Sequence, residues 1–255
     1  VVRIVFALAQ YAVSHQQVAD RVLRLFDALR LERLPQLLAD LSEIPDLRRL
    51  RFLTSHPNWM SAELIDAVAT LPKVMPHIEI PLQAGDDEVL KKMRRGYTNI
   101  QYRDLVAQIR ERIPGVSIGT DIIVGFPGES ETAFMNTYNT LAELKLDVAH
   151  LARYSPRPGT YSARYLPDEV PAEEKMRRFR ALEDLQKEVV GTLNAAYLGK
   201  CIPVLFEGKS KNRWRGRTPT NRLVFVETDQ DLLGQELDVR IKWTGPWSLL
   251  GELVE

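Results

Sequence analysis

From about residue 32, short apolar runs alternate with helical patterns, and four of the runs end in a cluster of glycine, proline and polar residues. Leu50–Leu53 leads into Thr54-Ser55-His56-Pro57, and Ile78–Ile80 into Pro81-Leu82-Gln83-Ala84-Gly85. Ile118–Val124 leads into Gly125-Phe126-Pro127-Gly128-Glu129, and Val148–Tyr154 into Ser155-Pro156-Arg157-Pro158-Gly159-Thr160. A β-α-β-α order requires a parallel sheet with right-handed crossovers, either open or curled into part of a barrel. The helices between the runs carry start signals. Ser61 and Ser130 suit N-caps, Asp86 or Asp87 opens a basic helix, and Thr98 with Gln101 forms a capping box. Pro114-Gly115 is a helix break.

Around Pro167–Pro171 the rhythm changes. Pro171 stands at the start of a long helix whose Met176, Phe179, Leu182, Leu185, Val189 and Leu193 share one stripe. From Gly199 onward the chain reads as short strands and turns: Ile202–Glu207, Leu223–Glu227, Glu236–Trp243 and Trp247–Val254. That is the pattern of a small all-β barrel. The expected class is therefore α/β, a parallel sheet either open or curled into a barrel, followed by a small all-β barrel. Residues 1–30 fit less well, with a strand expected over Val1–Leu8 and a helix over Gln17–Leu29.

Composition narrows the function classes. The 255 residues carry 34 basic and 34 acidic side chains and are 45% hydrophobic, a globular balance that excludes a disordered chain and a globally basic nucleic-acid binder. No run approaches eighteen apolar residues, so no membrane-spanning helix is expected. Val1–Leu8 lacks a basic flank and a clear cleavage site, so no signal peptide is expected and the default compartment is the cytoplasm. One cysteine, Cys201, excludes an internal disulfide framework and any all-cysteine metal or iron–sulfur site.

Ligand sites of parallel α/β folds gather at the carboxyl ends of the strands, where the polar motifs fall. Strand alternation puts Ser117, Gly119, Asp121 and Gly125 on one face, opposite Val116, Ile118, Ile122 and Val124. His77, Glu79 and Gln83 share a face in the preceding run. Asp121 and Gln83 can thus converge on one polar ligand, as hydroxyl acceptor and amide donor, or satisfy each other in a polar core. Gly125–Glu129 lacks the Lys-Ser/Thr of a phosphate-binding loop. The four histidines, His15, His56, His77 and His150, show no metal-ligand spacing and read as structural. Between Lys200 and Arg222 lie seven basic residues against one acid, Glu207, with Trp214 inside the run. Such a loop reads as an RNA surface, phosphates to the cations and a base to the indole, or as a solvated hairpin with a packed tryptophan.

These motifs, with Arg51-Phe52-Leu53 ahead of the first and Met93-Arg94-Arg95-Gly96-Tyr97-Thr98 after the second, resemble the MiaB-like tRNA methylthiotransferases. These are radical S-adenosylmethionine (SAM) enzymes ending in a TRAM domain, an RNA-binding β-barrel. The resemblance runs from about Glu32 to Glu255. It implies a poorly matching segment over 1–30, a partial radical SAM (β/α) barrel with a linking helix (171–196) over 31–196, and a TRAM-like barrel over 197–255. Thr-Ser-His-Pro, and Gly216-Arg217-Thr218 followed by Asn221-Arg222, resemble the tRNA-modifying branch. The implied reaction is methylthiolation at C2 of N6-isopentenyladenosine beside the tRNA anticodon.

The implied cofactors are SAM and, for the full-length family, two [4Fe–4S] clusters. The implied partners are the anticodon stem-loop of tRNA and an electron-donor protein. Position by position, Gln83 and Asp121 resemble the residues that hold the SAM ribose, and Arg95 the arginine that pairs with the SAM carboxylate. Gly125 to Glu129 resembles the loop near the adenine, and Tyr154 to Arg157 the last strand lining the site. Lys211, Arg213, Trp214, Arg217 and Asn221 are the RNA-binding candidates. No catalytic residue and no metal ligand is assigned. The family's Cys-x3-Cys-x2-Cys loop and three further cysteines are not in this sequence, and Cys201 lies in the β module. The expectation is a fragment, inactive as given, with a frame error or unrelated sequence over 1–30. The alternatives are a cluster-free RNA-binding remnant and a sibling enzyme acting on a ribosomal protein.

Overall fold

Helices begin where a short polar side chain takes the backbone donors that the first turn leaves unpaired. In the structure, a computed structural model that describes residues 34–45, 47–52 and 56–254, α1 (Leu34–Ser42) is followed by α2 (Ala62–Thr70), where Ser61 Oγ accepts the Leu64 N–H. Asp86 accepts the N–H groups of Glu88 and Val89 at the head of α3 (Asp87–Lys92). The Thr98–Gln101 capping box is complete at the head of α4 (Asn99–Arg112), and Ser130 caps α5 (Glu131–Leu144). The strand expected over Val1–Leu8, the helix over Gln17–Leu29, and Leu53, Thr54 and Ser55 of the first rim motif lie outside the described residues.

Three parallel strands follow the order β1 (His77–Glu79), β2 (Ser117–Val124), β3 (Val148–Arg153). Ile78 pairs with Ile118 and Asp121 with His150. Of the strand expected over Leu50–Leu53, the described residues show a single parallel bridge, Leu50 to Val74, and Gln83 is bridged to Ile122. One face of this sheet carries Ile78, Ile80, Leu82, Ile118, Ile122 and Val124 into a core shared with Leu64 and Val68 of α2, Tyr102, Val106 and Ile109 of α4, and Phe134 and Leu141 of α5. Each such side chain contributes about 1.5–3 kcal/mol by leaving water. Tyr102 is fully buried, and its hydroxyl donates to the Ile80 carbonyl. This offsets the cost of a buried polar atom.

After the short α6 (Tyr161–Tyr165) comes α7 (Ala172–Ala195), which Pro171 starts as expected. Its burial corrects the sequence reading. The deepest line is Lys175, Arg178, Leu182, Gln186, Val190 and Asn194, and most of the expected apolar stripe is half-buried beside it. Each polar member of that line meets a fixed acceptor. Lys175 Nζ lies 2.5 and 2.7 Å from the Asp168 carboxylate, and Arg178 Nη1 lies 2.8 Å from Glu129 Oε2. Gln186 donates to the Leu146 carbonyl and Asn194 to the Gly245 carbonyl. The helix is thus stitched along its length rather than greased onto the sheet. No helix among the described residues is long and apolar enough to cross a membrane.

The last unit is a closed barrel in the order β4-β5-β6-β8-β7: β4 (Cys201–Ser210), β5 (Arg213–Arg217), β6 (Leu223–Val226), β7 (Glu236–Thr244) and β8 (Leu249–Leu253). The sequence reading missed β5, taking its arginines for a loop. Val204, Phe206, Trp214, Val224, Val226, Val239, Ile241 and Leu249 fill the interior. This barrel docks where the parallel strands begin. Arg49 donates to the Arg217 carbonyl and pairs with Glu236, both at 2.7 Å. Arg222 pairs with Asp147, just before β3, at 2.6 Å. The opposite end of the sheet stays open.

Candidate functional site

At that open end, where the strands finish, lies a cleft of about 640 Å3 lined by Gln83, Arg95, Asp121, His150, Tyr154 and Arg157, among others. Five of these are sequence-predicted site residues, brought together from four separate segments. Gln83 follows β1 with φ of 69°, a left-handed turn that the bridge to Ile122 holds in place. Its N–H donates to the Asp121 carbonyl at 2.8 Å, and its carbonyl accepts the Ile123 N–H at 3.0 Å. Arg94 and Gly96 both have positive φ, and this tight reversal after α3 brings Arg95 back over the cleft. Arg95 Nη2 donates to Gln83 Oε1 at 2.8 Å, while its buried Nε has no partner.

Asp121 projects from β2 and makes no side-chain hydrogen bond among the described residues. Burial raises its carboxyl from the ordinary aspartate value; His150 and Arg95 oppose that shift, and the Glu79 charge reinforces it. The Tyr154 hydroxyl is buried without a partner, and its ring meets Phe126 edge-on with centroids 5.0 Å apart. A half-buried carboxyl without a hydrogen bond, an orphaned guanidinium nitrogen and an orphaned phenol are costly to leave without partners. They are suited to a ligand that carries hydroxyls, a carboxylate and polar nitrogens.

Below Asp121 runs a chain of polar groups that the sequence showed only as a shared face. His77 Nδ1 lies 3.0 Å from Ser117 Oγ and its Nε2 lies 3.0 Å from Glu79 Oε1. His150 Nε2 lies 3.6 Å from the same oxygen. Gly119 makes room for this carboxylate, since a methyl group there would collide with it. Burial alone would raise Glu79, but His150 and His77 outweigh it and hold its carboxyl at about 2. The contact with Glu79 in turn raises His150.

Two predicted cofactor residues do not line the cleft. Glu129 is buried, and its Oε2 accepts the Gly125 N–H at 2.6 Å and Arg178 at 2.8 Å. Gly125, at φ of 72°, is pressed against the Lys175 stem. Both therefore fix the loop to α7 instead of facing a ligand. Lys175 and Arg178 were missed because a run of charges at the head of a helix ordinarily marks its solvated face.

The RNA candidates also divide. Lys211 and Arg213 are exposed at the β4–β5 hairpin, Arg213 paired with Glu227 at 2.7 Å. Trp214 is only 5% exposed and donates its indole N–H to the Gln230 carbonyl at 2.7 Å, so it packs in the barrel and offers no face to a base. Arg217 Nη1 donates to the Asn221 carbonyl at 3.0 Å, and the Asn221 amide reaches His77 at 3.2 Å. These two serve the seam between the barrels.

Cys201 is exposed at the start of β4. No group of three or more His, Cys, Asp and Glu that could hold a metal occurs among the described residues. The sequence has no other cysteine, so the residues present do not fit an iron–sulfur cluster.

Comparison with known proteins accounts for both units. The model of the radical SAM superfamily matches residues 18–141, and that of the TRAM domain matches residues 195–254. The tRNA-2-methylthio-N(6)-dimethylallyladenosine synthase of Dehalococcoides mccartyi (strain CBDB1) is 51% identical over 221 residues, 87% of this chain and 53% of that protein. The protein of the same name from Chloroflexus aurantiacus is 51% identical over 84% of this chain and 47% of its own length. That of Roseiflexus sp. (strain RS-1) is 50% identical over 86% and 47%. The chain spans about half the length of these relatives. A parallel sheet with its cleft at the strand ends, a closed β-barrel behind it and a match to each unit agree: the chain carries a radical SAM domain followed by a TRAM domain.

Proposed function

We propose that this chain is the SAM-holding and tRNA-docking part of an enzyme that adds a methylthio group to C2 of N6-isopentenyladenosine beside the tRNA anticodon. The observation that carries the reading is the convergence of Gln83, Arg95, Asp121, Tyr154 and Arg157 on one cleft at the carboxyl ends of the strands. The relatives' names supply the reaction, and the TRAM match favours RNA as the substrate class. The cleft suits SAM. The Asp121 carboxylate would accept from the ribose hydroxyls, the Gln83 amide would reach the same sugar, and Arg95 would pair with the amino-acid carboxylate. SAM bound there would supply the methyl group and the radical chemistry of the superfamily. With one cysteine in the sequence, no step through a cluster is assigned to this chain, and by itself it is expected to be inactive. Acting on tRNA, the whole enzyme would work in the cytoplasm.

That the sequence holds a single cysteine, Cys201 in the C-terminal barrel, favours a second reading: a cluster-free RNA-binding remnant that uses only that barrel. Two equilibrium measurements on the intact chain separate them, SAM binding with Arg95→Ala as control and binding of the anticodon stem-loop. The first reading expects both ligands to bind and Arg95→Ala to weaken SAM at least tenfold. RNA binding without SAM binding supports the remnant, and binding of neither overturns both.

A further inference from the structure

The C-terminal barrel presents a row of outward side chains that the sequence reading did not connect. Arg215 of β5 pairs with Phe225 of β6, Phe225 with Leu250 of β8, and Leu250 with Trp243 of β7. On these strands Trp214, Val224, Val226, Leu249 and Ile241 point inward, so the row lies on the outer surface. Phe225 and Leu250 are half-buried, and Trp243 is 50% exposed. Trp247, 61% exposed, stands in the turn that follows.

The Trp243 ring is not loose on that surface. It lies against Gly245, where a methyl group would strike the six-membered ring. The tip of the ring is thereby held against glycine backbone while half of the residue's surface stays in water. The charges around the row are arranged unevenly. Arg213 pairs with Glu227, Lys242 with Glu252, and Arg217 lies 3.6 Å from Glu207. Arg215 is exposed and has no ion pair among the described residues. An exposed aromatic ring, an apolar floor and an uncommitted guanidinium three strand spacings away, about 14 Å, match a short unpaired stretch of nucleotides: a base on the ring, and the phosphate of a neighbouring nucleotide on the cation.

We infer that the outward row Arg215–Phe225–Leu250–Trp243 is a docking site for unpaired RNA nucleotides, with a base against Trp243 and a phosphate at Arg215. It takes the place of the buried Trp214 as the aromatic of the RNA surface. The inference rests on the proposed reading in that tRNA is the polynucleotide. A paired stem hides its base faces, so the row selects unpaired loop or end nucleotides.

The test is fluorescence anisotropy of the full chain with a labelled anticodon stem-loop RNA and with a duplex lacking unpaired bases, each over a range of salt. Trp243→Ala should weaken stem-loop binding about tenfold, the scale of one stacked base, and leave the salt dependence unchanged. Trp243→Phe should keep most of the affinity, and Gly245→Ala, which tilts the ring, should fall between the two. Arg215→Gln should weaken binding and reduce the log–log salt slope by about 0.7, the share of one single-strand phosphate. Thermal melting of each variant checks the fold. If the wild-type chain binds RNA and both Trp243→Ala and Arg215→Gln match it, this site is overturned, the tRNA reading stands, and the row falls to a protein partner. If the wild-type chain binds no RNA, both are overturned.

Discussion

The side-chain amide of Asn221 lies 3.2 Å from Nε2 of His77, joining the loop after β5 to the first residue of β1. His77 then meets Glu79, and Glu79 meets His150, which lines the cleft beside Asp121. A continuous polar chain thus crosses the inside of the partial barrel from its seam with the C-terminal barrel to the proposed SAM site. The C-terminal barrel occupies the end of the sheet where the strands start, and the cleft occupies the other.

The seam should be strong where its ions are buried. Arg222 and Asp147 are both largely buried, and Asp147 also accepts the Ile118 N–H at 2.8 Å. Removing one member of such a pair strands the other charge. Arg222→Ala is expected to cost about 3 kcal/mol in urea unfolding and to separate the melting of the two units in calorimetry. Asn221→Ala, which removes one hydrogen bond, should cost about 1 kcal/mol.

The loop after β2 depends on Arg178. Its partner Glu129 is buried, and its carboxyl is raised by that burial in spite of the Gly125 N–H and Arg178. Arg178→Leu should destabilise the fold by about 3–5 kcal/mol, because the carboxylate loses its cation in a closed site. Glu129→Gln, which can still accept from Gly125, should cost less. The two single variants and the double variant, compared by denaturant unfolding, should show coupling well above additivity.

Glu79 gives the fold an acid-side pH dependence. Its folded carboxyl lies at about 2, below its ordinary value of 4.5, so its stabilisation is present above about pH 4.5 and is lost as pH falls toward 2. His150 is raised, so its share is present below the ordinary histidine range and is lost as pH climbs through the raised value. Glu79→Gln should remove up to about 3 kcal/mol at pH 6 and flatten the stability profile on both sides, as read from melting temperature across pH. Equal profiles for variant and wild type would dissolve the proposed chain.

Asp121 has the opposite sign. Its carboxyl is raised by burial, so ionising it costs stability as pH rises above the ordinary aspartate value. Asp121→Asn should therefore raise the melting temperature at neutral pH while weakening SAM binding. A gain in stability with a loss of affinity is the signature of a strained functional group, and a purely structural aspartate would show the reverse.

Local signals carried most of the fold. Ser61, Thr98, Gln101 and Ser130 act within three residues of themselves, so their caps were readable before any packing was known. The two-residue period of a strand likewise placed Gln83 and Asp121 on one side, the side that lines the cleft. Where the outcome depended on distant partners, the reading went astray. Nothing near Arg178 in sequence shows that Glu129 waits 49 residues away, and the Glu129 carboxylate is turned inward by that contact. Arg213-Trp214-Arg215-Gly216-Arg217 alternates as a strand should, with Trp214 and Gly216 inward, but its density of charge suggested a solvated loop. The row from Arg215 to Trp243 exists only through the registers of four strands and has no linear trace at all.

Calorimetric titration of the intact chain with SAM, beside Asp121→Asn, addresses the cleft most directly. The account predicts saturable binding by the wild-type chain and a loss of about tenfold to hundredfold in the variant, the worth of charged hydrogen bonds to two hydroxyls. Equal binding by the two proteins, or none by either, would contradict it.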